Sequence, residues 1–186
     1  VCLGMQLLME RSEEHGNHKG LGFINGKVEA IPMHKNGEKA RKVPNVGWSA
    51  LNRSHTEAWN NTCLNETNDG NFFYFAHSFM VRPTDEAQTI GYCIYEGLSV
   101  TAVIVQENLI GVQFHPELSG KRGLELLKCF STSKGVFISV ADFFPVFGSM
   151  LVMATCINLS PSKNFSYVSV KVIRYLSTLW RLDIFQ

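Results

Sequence analysis

The sequence predicts an α/β fold in which a mixed sheet is flanked by helices. Near the start, Met5–Glu14 combines helix-forming apolar side chains with a polar face, which predicts a helix. Gly120–Phe130 has amphipathic spacing and predicts a second helix. Between them lie apolar or aromatic segments that predict strands: Phe72–Val81, Ile90–Glu96, Val100–Gln106 and Ile110–Phe114.

Cys2 stands at the junction between an apolar lead-in and the first predicted helix. A cysteine there is expected on a sharp turn, where the first N–H groups of the helix favour an anionic sulfur. The amide of Leu3 is then placed to donate to the oxygen of a carbonyl under attack. The alternative is a buried structural cysteine beside a core helix, since free cysteine is among the most buried residue types.

Asn25-Gly26, between Leu21–Ile24 and Lys27–Ile31, predicts a hairpin turn. Just before it, His15 and His18 have no carboxylate or cysteine at ligand spacing, so the pattern favours a solvated loop over a metal site. Further on, Leu51–Asn71 predicts a loop with one short helix. On the helix Gly120–Phe130 we expect an inward face made of Leu124, Leu127 and Cys129 or Phe130.

The strand Ile110–Phe114 is followed by His115-Pro116-Glu117. Pro116 biases His115 toward an extended conformation, and residues two apart in an extended chain face the same way. The Glu117 carboxylate is therefore expected beside the His115 ring, where it fixes the tautomer and leaves the other nitrogen to take a thiol proton. With Cys2 this makes a nucleophile, a base and an orienting acid. A plain turn at the strand end remains the alternative.

Cys2-Leu3-Gly4-Met5-Gln6 together with His115-Pro116-Glu117 resembles the triad of class I glutamine amidotransferases. The segments Lys19–Gly22, Lys42–Trp48 and Phe73–Phe79 resemble, more narrowly, the glutaminase subunit of imidazole glycerol phosphate synthase, HisH. The resemblance runs from Val1 to about Phe130. It implies the C-terminal half of a flavodoxin-like class I amidotransferase domain, followed by an unrelated tail.

The resemblance also implies an activity, a site and a partner. Glutamine would be hydrolysed by Cys2, His115 and Glu117, with Leu3 at the oxyanion. Gln6 and the backbone of His77-Ser78-Phe79 would hold the substrate, with no metal or other cofactor. His77 is otherwise a candidate second base or, as we favour, a structural strand histidine. The partner implied is a HisF-type (β/α)8 cyclase, which uses the ammonia to form imidazole glycerol phosphate in histidine biosynthesis.

Two departures from the family pattern leave the partner open: Leu118 stands where the family usually has Lys, and Phe79 stands where Tyr is frequent. They raise the alternative of a paralogous glutaminase that supplies ammonia to an enzyme amidating surface-polysaccharide sugars. Asn45 stands where the family more often has His, which weakens the resemblance at that loop. A third hypothesis is an inactive fragment or a membrane-tethered interaction module.

Composition sets the outer limits. The chain has 186 residues and a formal net charge of +1, without a basic patch that would indicate nucleic-acid binding. Five cysteines without regular spacing favour a reducing compartment over a disulfide framework, and with the resemblance we expect a cytoplasmic heterodimer subunit. Because the chain begins at the predicted nucleophile, we expect an N-terminally truncated fragment that is inactive alone.

We expect two regions: residues 1–130 as the partial amidotransferase domain and residues 131–186 as a tail outside the family pattern. Gly135–Leu159 is nearly all apolar and about long enough to span a bilayer, but Asp142 and Pro145 disfavour a spanning helix. A frame-shifted read-through, a lineage-specific extension and a membrane anchor all remain open for this tail.

Overall fold

A computed structural model of the chain describes residues 1–34, 41–132 and 136–137, and these form a mixed α/β fold, as predicted. The helices are α1 (Leu3–Leu7) and α2 (Gly120–Thr132), with 3₁₀ turns at Glu86–Gln88 and Pro116–Leu118. The strands are β1 (Met9–Ser12), β2 (His18–Lys19), β3 (Ile24–Ala30), β4 (Asn45–Arg53), β5 (Asn71–His77), β6 (Phe79–Pro83), β7 (Thr89–Tyr95), β8 (Leu98–Gln106), β9 (Leu109–Val112) and β10 (Val136–Phe137).

The strands form two sheets. The smaller has the order β2-β1-β3-β6 and the larger β10-β9-β8-β7-β4-β5. Neighbours are antiparallel except in the parallel pairs β1–β3 and β9–β10. The chain crosses from the larger sheet to the smaller at Ser78, between β5 and β6, and α1 leads into β1 of the smaller sheet. Both crossings lie near the residues predicted to form the site.

The core follows from strand alternation. In β5, Phe73 and Phe75 are fully buried while Phe72 is exposed, as expected when successive side chains point to opposite faces. The ring of Phe114 packs against both buried phenylalanines, with centroids 4.3 Å from Phe73 and 5.8 Å from Phe75. Burying a side chain of this size contributes about 1.5–3 kcal/mol, so this cluster anchors the strand end that carries the His-Pro-Glu turn.

The predicted helix Met5–Glu14 is wrong beyond Leu7, so less than one of its turns is helical. Helix α1 ends at Leu7, and the chain turns into β1, whose Met9 is fully buried. Strand β1 pairs with β2 and β3 on its two sides, and these ladder hydrogen bonds outweigh the local helix preference.

The hairpin predicted at Asn25-Gly26 is also wrong, because both residues lie inside β3. A Cβ atom on Gly26 would come within 2.2 Å of the Arg82 carbonyl oxygen on β6. The glycine has φ of +129°, a conformation that side chains rarely allow. Gly26 therefore permits a close approach of two strands rather than a reversal of the chain.

Helix α2 agrees with its predicted bounds but is rotated relative to the expected face. Leu126 and Phe130 are buried, whereas Leu124 is 62% exposed and Leu127 is half-buried. The irregular cysteine spacing disfavours a disulfide framework, yet Cys129 of α2 is bonded to Cys63, with the Cα atoms 5.6 Å apart. Residues 54–70 form a series of turns that the disulfide ties to α2.

Most of the tail predicted over residues 131–186 lies outside the described residues, including the apolar Gly135–Leu159 segment apart from Val136–Phe137. The described part of the chain contains no helix long and apolar enough to cross a membrane. It also contains no group of three or more histidine, cysteine or acidic side chains arranged to hold a metal ion. His15 and His18 instead meet in a turn, where His18 Nε2 lies 3.4 Å from the His15 carbonyl oxygen.

Candidate active site

Cys2 occupies the sharp turn that the sequence predicts. Its backbone has φ of 42° and ψ of −108°, a left-handed conformation that costs energy for any residue with a side chain. The Cys2 N–H donates to the Val112 carbonyl at the end of β9 over 2.8 Å, and α1 begins at Leu3. Cys2 is half-buried, whereas the alternative of a buried structural cysteine requires a buried one.

His115 and Glu117 meet as predicted. The His115 Nδ1 atom lies 2.8 Å from Oε1 of Glu117. The backbone N–H of His115 donates to the Tyr74 carbonyl on β5, and the Ser119 hydroxyl donates to the His115 carbonyl. Pro116 starts a 3₁₀ turn that holds the carboxylate under the ring. Contacts of the His115 side chain and of its backbone N–H and carbonyl thus fix the position of the imidazole.

The electrostatics of the pair favour a charged imidazole. Burial by itself lowers the pKa of His115, but interactions with Cys2 and Glu117 outweigh burial and raise the pKa to about 10. Burial raises the pKa of Glu117, but the hydrogen bond and charge of His115 outweigh it and hold this pKa below its usual range. At neutral pH, well below this pKa, the His115 ring is therefore protonated, so the proton that it takes from the Cys2 thiol stays on the ring until a leaving group accepts it.

Cys2 is near enough to His115 to influence its charge, although they are 113 positions apart in the chain. The Nε2 atom of His115 is buried and makes no hydrogen bond to any residue that the structure describes. It is the nitrogen left over once Nδ1 has bonded Glu117. The structure thus brings the three predicted triad members together and leaves one imidazole nitrogen open for proton transfer.

The predicted oxyanion donor lies beside the sulfur. Leu3 is the first residue of α1, and the first N–H groups of a helix lack partners within the helix. Because α1 has only five residues, its dipole is a minor influence, and the N–H itself is the relevant group. Leu3 is positioned next to Cys2, as an oxyanion donor requires.

The predicted substrate-binding residues converge on one backbone carbonyl. Gln6 Nε2 donates to the Phe79 carbonyl oxygen over 3.2 Å, and His77 Nδ1 donates to the same oxygen over 2.8 Å. The Ser78 carbonyl accepts a hydrogen bond from the Ile31 amide. Gln6 on α1 is therefore joined to the crossing between β5 and β6, 73 residues away in sequence.

His77 is a neutral, buried histidine. Because a carbonyl can only accept, Nδ1 carries the proton and Nε2 accepts from Asn45 Nδ2 over 3.1 Å. Burial lowers the pKa of His77 to about 4, the hydrogen bond to Phe79 opposes this, and the nearby His115 lowers it further. This supports the structural interpretation of His77 over a second catalytic base.

Gln113 is a site residue that the sequence analysis did not single out. Its side chain is fully buried, and its Nε2 atom donates to the Cys2 sulfur over 3.3 Å. Its Oε1 atom accepts from Gln6 Nε2 over 3.3 Å. A polar amide in an otherwise apolar strand end, two residues before His115, was the sequence feature that could have revealed it.

Comparison with known proteins assigns the chain that carries this site to a family. A family model described as glutamine amidotransferase class-I matches residues 1–132. The chain belongs to the class I glutamine amidotransferase family. The matched residues include Cys2, His115 and Glu117, and they end where α2 ends.

Among its family relatives are subunits of imidazole glycerol phosphate synthase. The subunit HisH 1 of Legionella pneumophila (strain Lens) is 40% identical over 131 residues, or 70% of this chain and 62% of the relative. HisH of Rhodospirillum rubrum is 42% identical over 130 residues, and HisH of Aquifex aeolicus 38% over 133 residues, each covering 70% of this chain and 58% of the relative. The chain therefore spans about three fifths of the length of these curated relatives.

Proposed function

We propose that this chain carries the glutaminase centre of a HisH-type glutamine amidotransferase, which hydrolyses glutamine to glutamate and ammonia. The observation that supports this most directly is the convergence of Cys2, His115 and Glu117, with Nδ1 of His115 bonded to the carboxylate and Nε2 open. This arrangement gives a thiol both a base and a group that orients the base.

In this mechanism, His115 takes the proton of the Cys2 thiol, and the sulfur attacks the side-chain amide carbon of glutamine. The oxyanion that forms accepts a hydrogen bond from the Leu3 amide. His115 returns the proton to the leaving nitrogen, so ammonia departs and a thioester remains. His115 then deprotonates a water molecule, which attacks the thioester to release glutamate and restore Cys2.

Substrate positioning falls to the β5–β6 crossing. The Gln6 amide and the backbone of His77, Ser78 and Phe79 would hold the α-amino and carboxylate ends of glutamine. The support is their proximity: Gln6 and His77 both contact the Phe79 carbonyl, close to Cys2.

We further propose that the ammonia passes to a HisF-type (β/α)8 cyclase, which forms imidazole glycerol phosphate in the histidine pathway, and that the two make a cytoplasmic heterodimer. An exposed apolar surface supports docking. On paired β4 and β5, one face presents Val46, Trp48, Phe72 and Tyr74, with Leu118 on the adjoining 3₁₀ turn. We call these five residues the apolar face; exposed patches of this kind mark interaction sites.

A paralogous function in sugar amidation is the second candidate. The observation in its favour is Leu118, an apolar side chain that is 53% exposed beside the site, where the family usually has Lys. Its barrel partner would then present an apolar rather than an acidic contact at this position.

The deciding experiment measures glutamate release with and without each purified barrel partner. Because the chain spans about three fifths of the relatives' length, it is assayed alone and as a chimera that restores the portion of the Legionella relative outside the matched region. We expect no release from the chain alone and release from the chimera that rises with the histidine-pathway barrel. Cys2→Ala in the chimera should abolish it.

Each other outcome is informative. Stimulation only by a sugar-amidation partner would favour the paralogue. No release by the chimera under any condition, or release undiminished by Cys2→Ala, would overturn the enzyme hypothesis in favour of an interaction module. Release by the chain alone would contradict the expected inactivity.

A further inference from the structure

Gln113 links the nucleophile to the substrate-binding crossing through an unbroken set of hydrogen bonds. Its Nε2 atom donates to the Cys2 sulfur over 3.3 Å, and its Oε1 atom accepts from Gln6 Nε2 over 3.3 Å. Gln6 Nε2 in turn donates to the Phe79 carbonyl over 3.2 Å. Gln113 is fully buried and Gln6 nearly so, which shields the two amides from bulk solvent.

The direction of these bonds is fixed by the Phe79 carbonyl. A carbonyl oxygen only accepts, so Gln6 must turn its NH₂ group toward Phe79. The same NH₂ group faces Gln113, which must therefore present its oxygen to Gln6. The amide of Gln113 is left with its NH₂ group on the side of Cys2. The reverse orientation would set two donors against each other and direct an oxygen at the sulfur.

We propose that Gln113 is a further catalytic residue, whose side-chain N–H stabilises the anionic sulfur of Cys2, with Gln6 positioning it. The proposal rests on the proposed function in that it takes Cys2 as the nucleophile. The sulfur also has an acceptor within reach, the Ala76 carbonyl 3.9 Å away, which suits the protonated thiol. The donor from Gln113 suits the thiolate, because a hydrogen bond to a charged group is stronger than one to a neutral group.

This donor serves both halves of the reaction. When His115 removes the thiol proton, the negative charge develops on sulfur 3.3 Å from the Gln113 amide. When water breaks the thioester, the C–S bond cleaves, its electron pair returns to sulfur and the same N–H receives it. Stabilising a thiolate also lowers its nucleophilicity, but by less than it raises the thiolate population, so the attack step still gains.

The test measures alkylation of Cys2 by iodoacetamide at pH 7, read from the mass of the peptide that contains it. Gln113→Met keeps the length of the side chain and removes the amide. We expect its Cys2 to react about tenfold more slowly, as expected for loss of a hydrogen bond to a charged group. Gln106→Met makes the same chemical change at a partly buried glutamine that pairs with Gln88 away from the site, and should react at the wild-type rate.

A second measurement avoids any destabilising substitution. In the wild-type chain, the ¹⁵N-resolved side-chain amide protons of Gln113 should shift when Cys2 is alkylated, while those of Gln106 stay in place. Alkylation of Gln113→Met within twofold of the wild-type rate, or a Gln113 amide unmoved by alkylation, would overturn the proposal. Neither measurement uses glutamine, so a failed glutaminase assay would contradict the proposed function and leave the role of Gln113 to be judged separately.

Discussion

Asn45 and His77 pair across β4 and β5, where Asn45 Nδ2 donates to His77 Nε2 over 3.1 Å. With Nδ1 bonded to Phe79, both ring nitrogens are satisfied while the ring is neutral. A second proton would turn Nε2 into a donor facing the NH₂ group of Asn45, so the contact survives protonation only if the Asn45 amide turns over to present its oxygen. In the observed orientation the pair therefore favours an uncharged His77 at the β5–β6 crossing.

Acid should weaken the fold through His77. In the unfolded chain the ring takes a proton near its ordinary pKa of 6.5, whereas burial lowers the folded pKa to about 4. Between these values the unfolded state binds one more proton, so the free energy of unfolding falls by about 1.4 kcal/mol for each pH unit of acidification. Urea unfolding at pH 4.5 and 6.5 measures this. His77→Gln should reduce the difference, whereas His55→Gln, at an exposed turn, should retain it.

Glu117→Gln should change the titration of His115. The amide oxygen can still accept from Nδ1, but the loss of charge lowers the raised pKa of His115 from about 10 toward its ordinary value. A histidine with a raised folded pKa stabilises the fold fully below pH 6.5 and loses that contribution as pH rises toward 10. In the variant, whose His115 pKa is lower, this loss of stability should occur at a lower pH than in the wild type. NMR titration of the His115 ring checks this; Glu125→Gln on the exposed face of α2 is the control.

The same variant has a catalytic consequence if the proposed function holds. Glutamate release by the chimera should fall about 10²- to 10⁴-fold, the range for impaired acid–base catalysis. An unchanged His115 titration would contradict the role given to Glu117, whatever the activity.

Gly123→Ala should disturb the contact between α2 and the His115-Pro116-Glu117 turn. A Cβ atom on Gly123 would lie 1.8 Å from the Pro116 carbonyl oxygen, so α2 must move away from the 3₁₀ turn. Overpacking of this kind costs about 1–3 kcal/mol, which thermal unfolding would detect. Leu124→Ala, one residue later and 62% exposed, should be close to neutral, and equal melting temperatures for the two variants would refute the contact.

Reduction of the Cys63–Cys129 bond should destabilise the folded chain. The bond closes a loop with a sequence separation of 66, for which the loss of loop-closure entropy corresponds to roughly 4 kcal/mol. Urea unfolding with and without dithiothreitol measures the difference, and Cys63→Ser should remove the response to the reductant. If that variant still responded, another cysteine would be responsible.

Trp48→Ser should weaken docking of the barrel partner. Trp48 is 54% exposed, packs edge-on against Tyr74 with ring centroids 6.0 Å apart, and lies within the apolar face. Central aromatic residues at interfaces often account for 2 kcal/mol or more, so the dissociation constant should rise about 30-fold by calorimetry. Leu124→Ser, on α2 at the opposite side of β5, is the matched control and should bind like wild type.

The parts of the fold that could be predicted from sequence are those set by local patterns. The bounds of β7 and α2 agree with prediction to within two residues, since alternation and amphipathic spacing act over short stretches. The Cys2 turn and the His115–Glu117 contact were also predictable, because a helix start and an extended X-Pro segment each constrain neighbouring side chains.

What could not be predicted depends on distant partners. Met9 favours a helix locally, but its strand lies between β2 and β3, one of which pairs in parallel. Asn25-Gly26 favours a turn, but β6 approaches it from more than fifty residues away. Gln113 was missed for the same reason: only the folded chain shows that its amide lies between Gln6 and Cys2.

The carbonyl of Val112 that receives the Cys2 N–H ends the same strand that leads into His115. The nucleophile and the base are therefore both attached to the end of β9, and a displacement of β9 would carry the two together. Such a displacement preserves their spacing, whereas a shift of β5 would disturb it, because β5 contacts the His115 N–H through the Tyr74 carbonyl and the Cys2 sulfur through the Ala76 carbonyl 3.9 Å away. A small molecule designed to inhibit the site should accordingly bind against β5 and displace it.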